Sequence, residues 1–325
     1  MNFGEILRNT LKSPKTALLG LPFAAIPGAA LAQEAEAADA AGEAAVQAAP
    51  AYTPLGADMI KGQPEPGAIW LQDQYSPIGH DAAWMHDVVL MPIITVISLF
   101  VLFLLLWVMA RYNRRSNPTP SKTSHNTLLE FVWTGIPIVI LIGIAIPSIN
   151  LLVDQYESPP EDALTVKVTG YQWYWGYAYP DNGGFEVISN MMPEEDAVAA
   201  GLPAQLAVDN RMVVPVGEPI RLQTTAADVI HSFAVPSLWF KLDSVPGRLN
   251  EKVMQIEEPG IYYGQCSELC GARHGYMPIA VEAVSREQFD AWILSQGGSL
   301  GEEEAVAEPA ADEAEAGAEA AASEA

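Results

Sequence analysis

The sequence predicts a two-helix membrane hairpin followed by an all-β outer domain. Two uncharged apolar runs, 88–110 and 131–152, are each long enough to cross ~30 Å of hydrocarbon as a helix. From Leu164 to Val284 the texture changes to short alternating segments rich in β-branched and aromatic residues, broken by Pro and Gly. That is the pattern of a sandwich or barrel. Composition narrows the function. With 40 acidic against 16 basic residues and a formal net charge of −24, the chain lacks the basic face that nucleic acid requires. A basic protein is the partner such a charge attracts.

The elements follow in order. Arg8, Lys12 and Lys15 precede the apolar stretch "ALLGLPFAAIPGAALA", and Ala30-Leu31-Ala32 fits a small-x-small cleavage pattern, so residues 1–32 read as a signal peptide. Residues 33–66, rich in Ala, Glu, Pro and Gly, read as a flexible linker. The hairpin occupies 67–153. Between its spans lie Arg111, Arg114, Arg115 and Lys122 with no acidic residue before Glu130, which makes that loop cytoplasmic and both flanks external. Trp84 and Trp107 sit near the ends of the first span, where interfacial tryptophans are common. Glu130 abuts the second span; taken alone, it is a carboxylate favoured by a helix N-terminus.

The outer domain spans 154–298. "LTVKVTGYQWYWGYAYP", "RMVVPVGEPIRLQTTAADVIHSFAVP", "EKVMQIEEPGIYYGQC" and "MPIAVEAV" read as strands. "SREQFDAWIL" starts a helix, with Ser285 as N-cap and Gln288 as its capping-box partner. Residues 299–325, almost all Ala, Glu and Asp from Gly301 on, carry too little apolar surface to fold and read as a disordered acidic tail.

The chain's two cysteines lie in "GQCSELCGARHGYMP", where Cys266, Cys270, His274 and Met277 form C-x3-C-x3-H-x2-M. An exported domain permits a disulfide, and on the cysteines alone disulfide and metal site stand level. Thiolate, imidazole and thioether in one loop make a soft ligand set that suits copper. His231, in "ADVIHSFAVP", is the upstream histidine that completes it. A blue-copper site uses one Cys; two thiolates shared between two metals, with one His on each, give each copper a similar trigonal set. Met277 and a backbone carbonyl between the cysteines are then the weak ligands. Zinc competes for a Cys2His2 set, but this spacing is not finger-like and Met is not a usual zinc ligand. A redox dithiol wants C-x-x-C in an α/β setting, and neither feature is present.

These stretches, together with "EFVWTGIPIVILIGIAIPS", "VDNRMVVP" and "DVIHSFAVPSLWFKLDSVPGRLN", resemble subunit II of the haem–copper cytochrome c oxidases, bacterial and mitochondrial, from about Trp70 to Leu294. The resemblance implies a cupredoxin-like barrel holding the binuclear CuA centre. It implies His231, Cys266, the Glu268 carbonyl, Cys270, His274 and Met277 as copper ligands, and a Mg or Mn ion shared with subunit I through the Glu268 side chain. It places electron arrival from cytochrome c at Trp173 and the mouth of a proton-uptake path at Glu130. Cytochrome c docking falls to Asp209, Asp228 and Asp243. Ala178 and Ala227 stand where related chains often carry carboxylates, which thins that acidic patch. Trp175 reads as a core aromatic, and His80, His86 and His125 match no ligand.

The implied partners are subunits I and III, cytochrome c and membrane lipid. Haem and oxygen chemistry belong to subunit I, and none of the haem to this chain. The implied location is the bacterial inner membrane, with the N-terminus and the copper domain periplasmic. A membrane-tethered copper-delivery protein is the competing reading; it predicts exchangeable copper and no need for Trp173.

Overall fold

The computed structural model describes residues 51–301; the expected signal peptide, the first half of the expected linker and nearly all of the acidic tail lie outside them. Helix α1 (Pro77–Trp84) passes through a π-helical turn (Met85–Leu90) into α2 (Met91–Arg111), and together they make one apolar helix of 35 residues. Helix α3 (Thr127–Gln155) has 29 residues. Asn126 caps it by accepting from the Leu129 N–H, and Pro137 and Pro147 lie within it, as lipid-embedded helices tolerate. Large apolar side chains such as Phe103, Leu105, Val139 and Leu141 are exposed along both helices, a surface suited to hydrocarbon rather than water. Both helices outrun the apolar sequence runs, because their ends continue through Asp81, His86, Asp87 and Asp154 without a helix breaker.

The outer domain is two packed sheets. Strand β1 (Ile60–Gly62) precedes the membrane pair; β2 (Leu164–Tyr171), β3 (Tyr174–Ala178) and β4 (Glu186–Ser189) follow it, then the short helix α4 (Glu194–Ala199). Next come β5 (Met212–Pro215), β6 (Ile220–Ala226), β7 (His231–Val235), β8 (Phe240–Ser244), β9 (Asn250–Met254), β10 (Gly260–Cys266), β11 (Pro278–Val284) and helix α5 (Arg286–Ser295). One sheet runs β4-β3-β2-β6-β9 and the other β5-β11-β10-β7-β8, with β1 added beside β10. Alternation along β6 turns Ile220, Leu222, Thr224 and Ala226 inward. Between the sheets Val168, Trp175, Tyr177, Phe233 and Val281 are fully buried. Trp175 meets Phe233 edge-on, with ring centroids 5.5 Å apart.

The outward face of β10 and β11 is also buried, and this accounts for residues expected to be linker. Ile261, Tyr263 and Ala280 pack with Leu206 and Val208 and against Leu55 and Ile60 of the N-terminal segment. Beneath that segment lies Glu282, 1% exposed. It accepts from Tyr52 Oη at 2.9 Å, the Leu55 N–H at 2.8 Å and Arg211 Nη1 at 2.8 Å. Residues 52–62 are therefore a strap on the barrel rather than a free linker. Its composition disguises it, because the anchors are few and its partners lie over two hundred positions away. The chain stays attached up to the membrane helix. Tyr75 N–H donates to the Ser237 carbonyl at 2.9 Å, and Ser76 Oγ both caps α1 and donates to the Leu238 carbonyl at 2.8 Å.

Ser285 caps α5 as expected, accepting from the Gln288 N–H. The Gln288 side chain does not return the bond; its Oε1 accepts from the Thr53 N–H of the strap at 3.1 Å, so only half of the capping box forms.

Candidate metal centre

Strand pairing brings the candidate ligands to one end of the barrel. Cys266 closes β10, and its neighbour across the ladder is Phe233 of β7, the strand that His231 opens. Cys270 sits in the loop that follows, His274 in a short 3-10 turn, and Met277 immediately before β11. His231 is 0% exposed, Cys266 6%, Cys270 3% and Met277 1%; His274 is half-buried.

The donor atoms form a connected set. Cys266 Sγ lies 3.8 Å from His231 Nδ1, 3.8 Å from Cys270 Sγ and 3.4 Å from the Glu268 carbonyl oxygen. Cys270 Sγ lies 3.6 Å from His274 Nδ1 and 3.4 Å from Met277 Sδ. Both cysteines are free, and their sulfurs are far outside the ~2.05 Å of a disulfide. Separations of this size are what ligands held at ~2.0–2.3 Å from a shared metal leave between them. Two thiolates, two imidazoles, a thioether and a carbonyl in a largely buried loop fit a soft metal, copper above all.

The two thiols differ. Burial raises the Cys266 thiol, but hydrogen bonds with His231, the backbone at Glu268 and Ser232, and His274 together outweigh it and bring it down to about 6. Burial and the nearby charge of Cys266 push the Cys270 thiol up to about 12. Burial lowers the His231 imidazolium, and its bonds to Cys266 and Asp228 more than reverse that. Asp228 is lowered on balance: burial raises it, while His231 and the backbone N–H groups of Val229 and Gln172 lower it further.

Two contacts to the ligands went unread in the sequence, where Asp228 stood only as a docking carboxylate. Asp228 Oδ1 lies 2.9 Å from His231 Nε2, the carboxylate–imidazole arrangement that fixes the tautomer of metal-binding histidines. Gln172 donates its side-chain N–H to the Cys270 carbonyl at 2.8 Å. The D-x-x-H spacing of Asp228 and His231 was a usable signal for the first contact; Gln172 offered none.

The remaining candidates are placed as follows. Trp173 is half-buried against the copper loop, and its ring reaches Gly271: a Cβ on that glycine would sit 3.1 Å from Trp173 Cζ2. Trp175 is a fully buried core residue whose Nε1 donates to the Met277 carbonyl at 3.3 Å. The Glu268 side chain is exposed on the same loop. Glu130 is exposed in the first turn of α3. Asp209 is exposed and accepts from the Asn190 and Asn210 backbone N–H groups, both at 2.7 Å. Asp243 accepts from Ser232 Oγ at 2.7 Å and lines a cleft, about 720 Å³, whose wall includes Gln155 and Tyr156 at the end of α3. The Asp243 side chain is exposed.

A membrane hairpin carrying a cupredoxin-like β domain with a Cys/His/Met site defines the class: a membrane-anchored, copper-binding domain. Known proteins narrow it. The family model described as cytochrome c oxidase subunit II, periplasmic domain, matches residues 164–284, and that for its transmembrane domain matches residues 64–151. The chain belongs to the cytochrome c oxidase subunit II family. The probable cytochrome c oxidase subunit 2 of Rickettsia bellii (strain RML369-C) is 50% identical over 234 residues, covering 72% of this chain and 86% of that one. Cytochrome c oxidase subunit 2 of Cereibacter sphaeroides is 43% identical over 257 residues, covering 74% and 84%. The crystal structure of the periplasmic domain of subunit II of cytochrome oxidase of Bradyrhizobium japonicum is 51% identical, with a TM-score of 0.40, covering 42% of this chain and 96% of that one.

Proposed function

We propose that this chain is the electron-accepting subunit of a cytochrome c oxidase. In this reading reduced cytochrome c docks on the outer domain, and electrons pass to haem in subunit I, where oxygen is reduced to water and protons are pumped. His231, Cys266, the Glu268 carbonyl, Cys270, His274 and Met277 would hold a binuclear copper centre, and that pair supplies a one-electron acceptor and donor. The observation that carries the reading is the pair of free thiols 3.8 Å apart, each facing its own imidazole Nδ1.

The chain's own residues have distinct tasks. The buried loop keeps water from the sulfurs and fixes the donors relative to one another, so little rearrangement would accompany a change of charge. Trp173, packed on Gly271, is the ring through which the electron enters. Asp209, Asp228 and Asp243 offer carboxylates to a lysine-rich partner. The exposed Glu268 carboxylate would reach the Mg or Mn ion shared with subunit I, and Glu130 would stand at the mouth of proton uptake. The outer domain would lie in the periplasm of a bacterial inner-membrane complex with subunits I and III, after removal of residues 1–32.

The test is EPR with near-infrared absorption on the whole chain in detergent, loaded with copper. A hyperfine pattern of one electron shared over two equivalent coppers is expected. A single-copper pattern, with metal readily lost to a chelator, would overturn this reading in favour of copper delivery.

A further inference from the structure

Gln172, in the turn between β2 and β3, is bonded at both ends. Its main-chain N–H donates to Asp228 Oδ2 at 2.7 Å, while the other oxygen of that carboxylate holds His231 Nε2 at 2.9 Å. Its side-chain Nε2 donates to the Cys270 carbonyl at 2.8 Å. One residue thus joins the turn that carries Trp173 to Asp228, which holds the candidate ligand His231, and to the candidate ligand Cys270, 56 and 98 positions away.

Gly271 shows how tight the junction is. Its φ of +122° is open to glycine, and a Cβ there would lie 3.1 Å from Trp173 Cζ2 and 3.2 Å from Gln172 Nε2. The indole and the amide therefore approach bare backbone at the residue that follows Cys270. On the loop's other side, Ser267 N–H donates to the Ser232 carbonyl at 3.0 Å. The copper loop is held from the β7 side by Ser232 and from the opposite sheet by Gln172.

We propose that Gln172 is a positioning residue: its amide clasps the turn carrying Trp173 onto the Cys270 carbonyl, keeping the copper loop closed and the indole seated on Gly271. This rests on the reading of the site as a copper centre with Trp173 as the point of electron arrival. The rival is that Gln172, exposed as it is, merely touches the docked cytochrome c. The two differ when no cytochrome c is present, because a clasp then still governs metal retention and a docking contact does not.

The experiment uses the copper-loaded full chain in detergent, challenged with a copper chelator in the absence of cytochrome c. Gln172→Leu keeps the volume and removes the donor; copper loss is expected to be roughly tenfold faster or more, as for other residues that orient metal ligands. Gln172→Lys restores an N–H donor of similar reach, and retention close to the unaltered chain is expected. In the complete oxidase, Gln172→Leu should slow electron uptake from bound, photoreduced cytochrome c while KM holds. Copper loss at the unaltered rate with only KM raised would make Gln172 a docking contact and overturn the proposal. A Lys variant that loses copper as fast as the Leu variant would overturn it too, by removing the hydrogen bond as the cause. If the unaltered chain shows no copper pair, or if Trp173→Phe leaves electron uptake unchanged, the underlying copper reading fails instead.

Discussion

His231 turns one ring nitrogen to Asp228 and the other to the thiols: Nε2 lies 2.9 Å from Asp228 Oδ1, and Nδ1 lies 3.8 Å from Cys266 Sγ. The carboxylate keeps the proton on Nε2 and leaves the Nδ1 lone pair for metal. Asp228→Ala should lower copper affinity about 10–100-fold. A competition titration with a chelator measures it, and an unchanged affinity would leave Asp228 only a docking role.

Met277 is buried with its sulfur 3.4 Å from Cys270 Sγ. Met277→Leu conserves volume and should cost less than about 1.5 kcal/mol of stability. Copper should be retained. Loss of a thioether donor disfavours the oxidised metal, so the reduction potential should rise. Redox titration of the variant checks the sign, and a potential that does not move would exclude Met277 as a ligand.

Trp173 fills the space over Gly271. Trp173→Phe should leave the EPR pattern and KM for cytochrome c intact and slow electron uptake. Flash photolysis with a photoreducible cytochrome c separates these quantities. Unchanged uptake would take the electron route elsewhere.

Glu282 and Arg211 form a buried pair under the strap, with side chains 1% and 14% exposed. Removing one partner of such a pair strands the other. Glu282→Ala should destabilise the outer domain by about 3–5 kcal/mol, read by urea denaturation, and should expose residues 52–62 to protease. Urea stability equal to that of the unaltered chain would mean that Arg211 finds water without loss.

Burial raises the phenols of Tyr177 and Tyr179 well above their ordinary value of 10.0. Above pH 10 the unfolded chain therefore holds fewer protons than the folded one, and stability falls as pH rises. Stability from these two residues is complete below pH 10 and is lost above it. Absorbance of the ionised phenols should lag behind that of free tyrosine and then appear together with loss of the β-sheet circular dichroism signal.

The membrane runs were legible because hydrophobicity and charge are local, although the helices run past them once polar residues without helix breakers follow. The cysteine loop was legible for the same reason: four donor side chains fall within twelve positions, and His231 stood out in an alternating strand. What escaped depends on pairing between distant strands. Gln172 meets Cys270 only because two sheets close over one end of the barrel; Asp228 is the exception, a carboxylate read for docking whose local D-x-x-H spacing was overlooked. The strap escaped because Tyr52, Leu55 and Ile60 are sparse anchors among Pro, Gly and Ala, and the acid that binds two of them lies in β11.

The segment anchored by the strap and the Ser76 cap, and the link that leaves α3, together give the barrel two moorings to its membrane helices. The stretch 63–76 runs from β1 into α1, and residues 156–163 run from α3 into β2. A body on one tether can swivel about it and sample a cone of orientations; a body pinned at two points loses that freedom. The candidate metal loop is thereby held in a set orientation relative to the two helices. A partner diffusing along the surface meets one presented face rather than a tumbling target.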